Sequence, residues 1–72
     1  MNRSEVHAIV KPHVKAEMGY NAKWGTYREL TLNEEDKQTM TAQYMGEVYD
    51  EEGMRLFIVT QFKDGTHAFD WN

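Results

Sequence analysis

Met54-Arg55-Leu56-Phe57-Ile58-Val59-Thr60-Gln61-Phe62 is the most apolar run of the chain, and its reading decides the fold. It is rich in β-branched and aromatic residues, with apolar side chains at both parities. That pattern suits a central strand at least partly covered on both faces. Turn signals bracket it. Asp64-Gly65 lies between this run and His67-Ala68-Phe69-Asp70-Trp71, and Asp-Gly between two such runs predicts a two-residue type I′ hairpin. On the other side, Asp50-Glu51-Glu52-Gly53 predicts a three-residue loop, Glu51-Glu52-Gly53, closed by a left-handed glycine.

These two turns set an expected register. Asp50 faces Met54, Val48 faces Leu56, Gly46 faces Ile58, Thr60 faces Phe69 and Ile58 faces Trp71. One face then collects Met40, Ala42, Tyr44, Gly46, Val48, Met54, Leu56, Ile58, Phe62, Phe69 and Trp71, which marks it as the core. The other face collects Met45, Tyr49, Phe57 and Val59 among polar neighbours. A rival pattern is a helix from Glu34 to about Val48, capped by Asn33, with Met40, Tyr44 and Val48 four residues apart. Thr39, Thr41 and Gly46 oppose it.

Outward from this meander, Ser4 to Met18 predicts a helix. Val6, Val10, Val14 and Met18 recur every four residues, Ser4 is the candidate N-cap, and Gly19 ends the segment. Pro12 interrupts it at a cost of ~3 kcal/mol, so a kink or two short helices are expected. Tyr20 to Gly25 reads as a loop, and Thr26 to Leu32 as a fourth strand with Thr26, Arg28, Leu30 and Leu32 sharing a face. The expected fold is α+β: an N-terminal helix on a three- to four-stranded antiparallel β-meander, with residues 1–72 forming a single small domain.

Composition narrows the function. The chain has 72 residues and no cysteine, which removes thiol chemistry, disulfides and thiolate metal sites. No apolar segment approaches a membrane span or a signal h-region, so a cytoplasmic protein without a membrane partner is expected. The net charge of −4 is unevenly placed. Five cations stand against two carboxylates in residues 1–28, a net +3, and three against ten in residues 29–72, a net −7. This dipolar pattern suits solubility, and it can also steer a partner.

Motifs for catalysis are lacking. Glu34-Glu35-Asp36 and Asp50-Glu51-Glu52 do not follow a calcium-loop pattern. At strand spacing the two triplets stand ~45 Å apart, or ~20 Å in a helix, too far to share a metal. His7 and His13 lie six apart, outside the i, i+4 spacing of helical metal ligands. No Gly-flanked nucleophile and no Gly-rich phosphate loop is present. The expectation is no enzyme, no cofactor and no metal.

Binding is what remains. In the expected register Met45, Tyr49, Phe57 and Val59 form an apolar centre on the second face, flanked by Glu47 and Arg55. Apolar, aromatic and methionine residues within a polar rim are the composition of a protein-binding patch, for another protein or for a homodimer. The chain therefore reads as a small acidic protein-binding regulator or inhibitor that occupies a surface of a larger macromolecule. Phage and mobile-element proteins directed at host enzymes or defence systems are often built on this scale. The alternative is a nucleic-acid-binding accessory domain, with Lys11, Lys15, Lys23 and Arg28 interleaved by Tyr20, Trp24 and Tyr27.

Overall fold

The computed structural model describes residues 2–19 and 21–72. One helix, α1 (Arg3–Met18), precedes four strands: β1 (Lys23–Glu29), β2 (Met40–Asp50), β3 (Gly53–Phe62) and β4 (His67–Trp71). The strands form one antiparallel sheet in the order β1-β2-β3-β4, and α1 packs on one face of it. The α+β class and the meander are as the sequence predicts. No helix among the described residues is long and apolar enough to cross a membrane.

The helix cap lies two residues earlier than expected. Asn2, not Ser4, is the N-cap: its side chain accepts from the Glu5 N–H at 2.9 Å, and the Glu5 carboxylate accepts from the Asn2 N–H at 3.2 Å. This capping box satisfies two N-terminal donors at once. The helix is continuous through Pro12, so two short helices do not form. Pro12 and Ala8 are both exposed, and the Ala8 carbonyl that loses its partner can be hydrated. Gly19 ends the helix, donating to the Lys15 carbonyl at 3.2 Å.

Val6, Val10 and Val14 are the buried stripe of α1, packed with Tyr44, Val48, Phe57 and Val59 in one core. Rings flank that stripe. Towards β1, His7 stacks on Trp24 with centroids 4.0 Å apart and Arg3 lies over Tyr27. Towards β3 and β4, His13 stacks on Phe69 at 4.0 Å and Glu17 pairs with Arg55 at 3.4 Å. The Tyr44 phenol is raised above its ordinary value by burial first, and then by its hydrogen bond to Glu29, its β1 neighbour.

The first strand and the segment after it differ from expectation. β1 begins at Lys23, so Trp24 is a strand residue opposite Val48 rather than part of a loop. It ends at Glu29, and Leu30 and Leu32 lie beyond it. The register of β1 shifts between Trp24 and Tyr27, leaving Gly25 and Thr26 together beside Glu47. The helix alternative for residues 34–48 does not form. Its cap does: Asn33 Oδ1 accepts from the Asp36 N–H at 2.7 Å. Only the 3-10 turn Asp36–Gln38 follows, and the chain then enters β2.

The expected face assignment fails in β3 alone. Asp50 pairs with Gly53, Val48 with Arg55, Gly46 with Phe57 and Tyr44 with Val59. Across the other hairpin, Phe57 pairs with Trp71, Val59 with Phe69 and Gln61 with His67. Each hairpin is one residue away from its expected pairing. The two slips flip β3 and leave β2 and β4 on their expected faces.

The turns explain both slips. The Asp50 carboxylate accepts from the N–H groups of Glu52 (2.8 Å) and Gly53 (3.2 Å), which draws the loop in to Glu51-Glu52. In the second hairpin the loop is Lys63-Asp64-Gly65. Gly65 N–H donates to the Phe62 carbonyl and Phe62 N–H to the Thr66 carbonyl. A type I′ turn would need Asp64 at positive φ, and no described non-glycine residue has one. Gly65 takes the left-handed position instead, at φ 91°. Thr66 donates to the Asp64 carboxylate through its N–H (2.9 Å) and its hydroxyl (2.6 Å), and these bonds hold that carboxyl below its ordinary value.

Candidate protein-binding face

With β3 flipped, the face turned away from α1 has a different centre. Four cross-strand rows describe it. Lys23, Tyr49 and Met54 form the first, at the end of the sheet by the β2–β3 turn. Glu47 and Leu56 form the second, with Thr26 beside them. Arg28, Met45, Ile58 and Asp70 form the third and cross all four strands. Gln43, Thr60 and Ala68 form the fourth, where the Gln43 amide donates to the Thr60 hydroxyl at 3.1 Å and Thr60 is buried.

Of the six residues expected to form the site, three lie here. Met45 is half-buried at the centre, and Tyr49 is 41% exposed. Glu47 is turned towards β1 by a hydrogen bond from the Thr26 hydroxyl at 3.0 Å. The other three are elsewhere. Phe57 is 1% exposed and Val59 is fully buried, both beneath α1. Arg55 is also on the helix side, its guanidinium 4.1 Å from the Trp71 ring centroid and within reach of Glu17. A buried ring and a buried valine cannot anchor a partner. The expected assignment of Phe57, Val59 and Arg55 to this face is corrected.

Leu56, Ile58 and Met54 take their places. Leu56 and Ile58 are half-buried, and Met54 is the most exposed large apolar residue described, at 57%. The parity of β3 hid them, because both of its faces are apolar. A signal was present in Gly46. A Cβ built there would lie 2.3 Å from the Phe57 ring and 2.9 Å from Tyr27 Cβ. The glycine leaves room for the buried Phe57 ring, which a pairing with Ile58 would not require.

A shallow depression of about 280 Å³ opens between β1 and β3, lined by Thr26, Arg28, Met45, Glu47 and Leu56 among others. Among the described residues, no three acidic or histidine side chains gather where a metal could be held. The acidic triplets stand at opposite ends of β2, in a molecule 39 Å long.

The basic aromatic strip of the alternative reading does not assemble. Lys11 and Lys15 lie on the exposed side of α1, whereas Lys23 and Arg28 belong to the opposite face of the sheet. Trp24 and Tyr27 are occupied on the helix side by His7 and Arg3. Tyr20 is outside the described residues. No protein-family model matches this chain, and neither a curated protein nor a solved structure matches it significantly.

Proposed function

We propose that this chain is a protein-binding regulator or inhibitor that acts by occupying a surface of a larger macromolecule and catalyses no reaction. The observation that carries this reading is the composition of the sheet face left without a helix. Met45, Leu56 and Ile58 form its centre, Met54 and Tyr49 extend it, and Arg28, Glu47 and Asp70 rim it. A sheet needs one apolar face for its own core, and α1 already covers that one. A second face with apolar and methionine residues inside a charged rim fits a docking surface. A cytoplasmic setting, and a phage or mobile-element origin directed at a host enzyme or defence system, are the accompanying expectations for a domain of this size.

The test is affinity capture from host lysate with wild type, Ile58→Asp and the double variant Lys11→Glu/Lys15→Glu, each checked for folding by circular dichroism. A partner lost only with folded Ile58→Asp supports the reading. A partner, or bound nucleic acid, lost only with the lysine variant rejects it and moves the working surface to α1.

A further inference from the structure

We propose that the first partner of the outer sheet face is a second copy of this chain, bound face to face about a two-fold axis running along the strands between β2 and β3. This rests on reading that face as a protein-binding surface, and it names the partner. The central row reads Arg28, Met45, Ile58, Asp70: cation, apolar, apolar, anion. Arg28 and Asp70 are both exposed, and neither joins the ion pairs found among the described residues, Lys37–Glu34 and Arg55–Glu17. At ~4.8 Å per strand they stand ~14 Å apart with Met45 and Ile58 between them.

A two-fold axis along the strands exchanges β1 with β4 and β2 with β3. Arg28 of one copy then stands over Asp70 of the other, twice, and Met45 over Ile58, twice. Isologous contacts of this kind need a self-complementary surface, and this row is one. The neighbouring rows agree. Met54 comes over Tyr49, so the two large apolar residues left exposed among the described residues cover each other, with sulfur against ring. Leu56 comes over the stem of Glu47, whose carboxylate is already drawn aside to Thr26. A two-fold axis across the strands through this row would instead set Arg28 on Arg28 and Asp70 on Asp70, so like charges oppose it. Aligned sheets cross at about 30°, which shifts the ends of a row by ~4 Å, within reach of a flexible arginine.

A four-stranded face is a small interface, so the dimer is expected in roughly the micromolar range and weakens with salt. A larger macromolecule that uses the same face competes with the second copy. The experiment is sedimentation equilibrium up to about 1 mM protein. Wild type is compared with Arg28→Asp, Asp70→Arg and the double variant carrying both, each confirmed folded by circular dichroism. Each single change should weaken the dimer at least about tenfold, and the double swap should restore it to within about threefold.

A monomeric wild type at the highest concentration overturns the proposal. So does a double swap as weak as the singles. A dimer indifferent to all three variants also overturns it, and points to pairing along the free edge of β4. Separate from these, a monomeric wild type whose partner is still lost with Ile58→Asp leaves the binding face standing without the second copy.

Discussion

Phe57 and Ile58 are neighbours in the chain and opposites in the fold. Phe57 is sealed under α1, edge-on to Trp24 and filling the space above Gly46. Ile58 stands on the uncovered face between Met45 and Asp70. Both are large and apolar, so hydrophobicity does not separate them. Their roles follow from one structural fact, the parity of β3. The helix side is shaped, with rings interlocked around a missing side chain. The outer side carries no helix over its apolar groups.

The sharpest way to break this contrast is to truncate both residues. Phe57→Ala should cost about 3–5 kcal/mol of stability by urea unfolding, and Ile58→Ala about 1 kcal/mol or less. Similar costs would mean that the faces are wrongly assigned. The next effect concerns the shape of the helix side. Gly46→Val places methyl groups where the Phe57 ring lies and should destabilise by about 1–3 kcal/mol or more. Combined with Phe57→Leu, its cost should be less than the sum of the singles, because the two share one space. Additive costs would remove that contact from the account.

Smaller effects sharpen the boundary between the faces. Arg55 lies over Trp71 and near Glu17, half-exposed at the edge of the core side. Arg55→Ala should cost about 1 kcal/mol or less, and it should leave any partner of the outer face bound. Loss of the partner with this variant would draw the binding surface around the sheet edge. The smallest expected effect is that of pH on His7. Burial against Trp24, and secondly the Arg3 charge, hold its imidazole below the ordinary value. The unfolded chain therefore takes up the proton first. The contribution of neutral His7 is complete above about pH 6.5 and is lost as pH falls through the lower folded-state value. Unfolding midpoints should fall less between about pH 7.5 and pH 5.5 in His7→Phe, which keeps a ring on Trp24, than in the wild type. Equal slopes would show that His7 does not sense the core.

The valine stripe of α1 could be read in advance, because its four-residue spacing runs through Val6, Val10, Val14 and Met18 up to Gly19, whereas Met40, Tyr44 and Val48, spaced alike, have Gly46 and Thr41 among them. The faces of β2 were legible for a similar reason: Ala42, Tyr44, Gly46 and Val48 alternate with more polar or exposed neighbours. Asn33 is instructive in the other direction. Its capping bond is real, yet a single turn follows, since Thr39, Thr41 and Gly46 disfavour continuing the helix. Met45, Glu47 and Tyr49 keep their expected face because they belong to β2, and Arg55, Phe57 and Val59 change face because they belong to β3.

By itself the sequence determined the element order, the meander, the helix that covers it and the inward residues of β2 and β4. Periodicity and turn-forming residues are local properties, and they act before any packing. The face of β3 was decided only in three dimensions. Its apolar residues occupy both parities, so no periodicity chooses between them. Packing made the choice, through a space at Gly46 that Phe57 fills beneath the helix, and the local carboxylate bonds of Asp50 and Asp64 close turns that match it. With that choice made, Arg28, Met45, Ile58 and Asp70 fall into one row, which adjacency along the chain does not reveal.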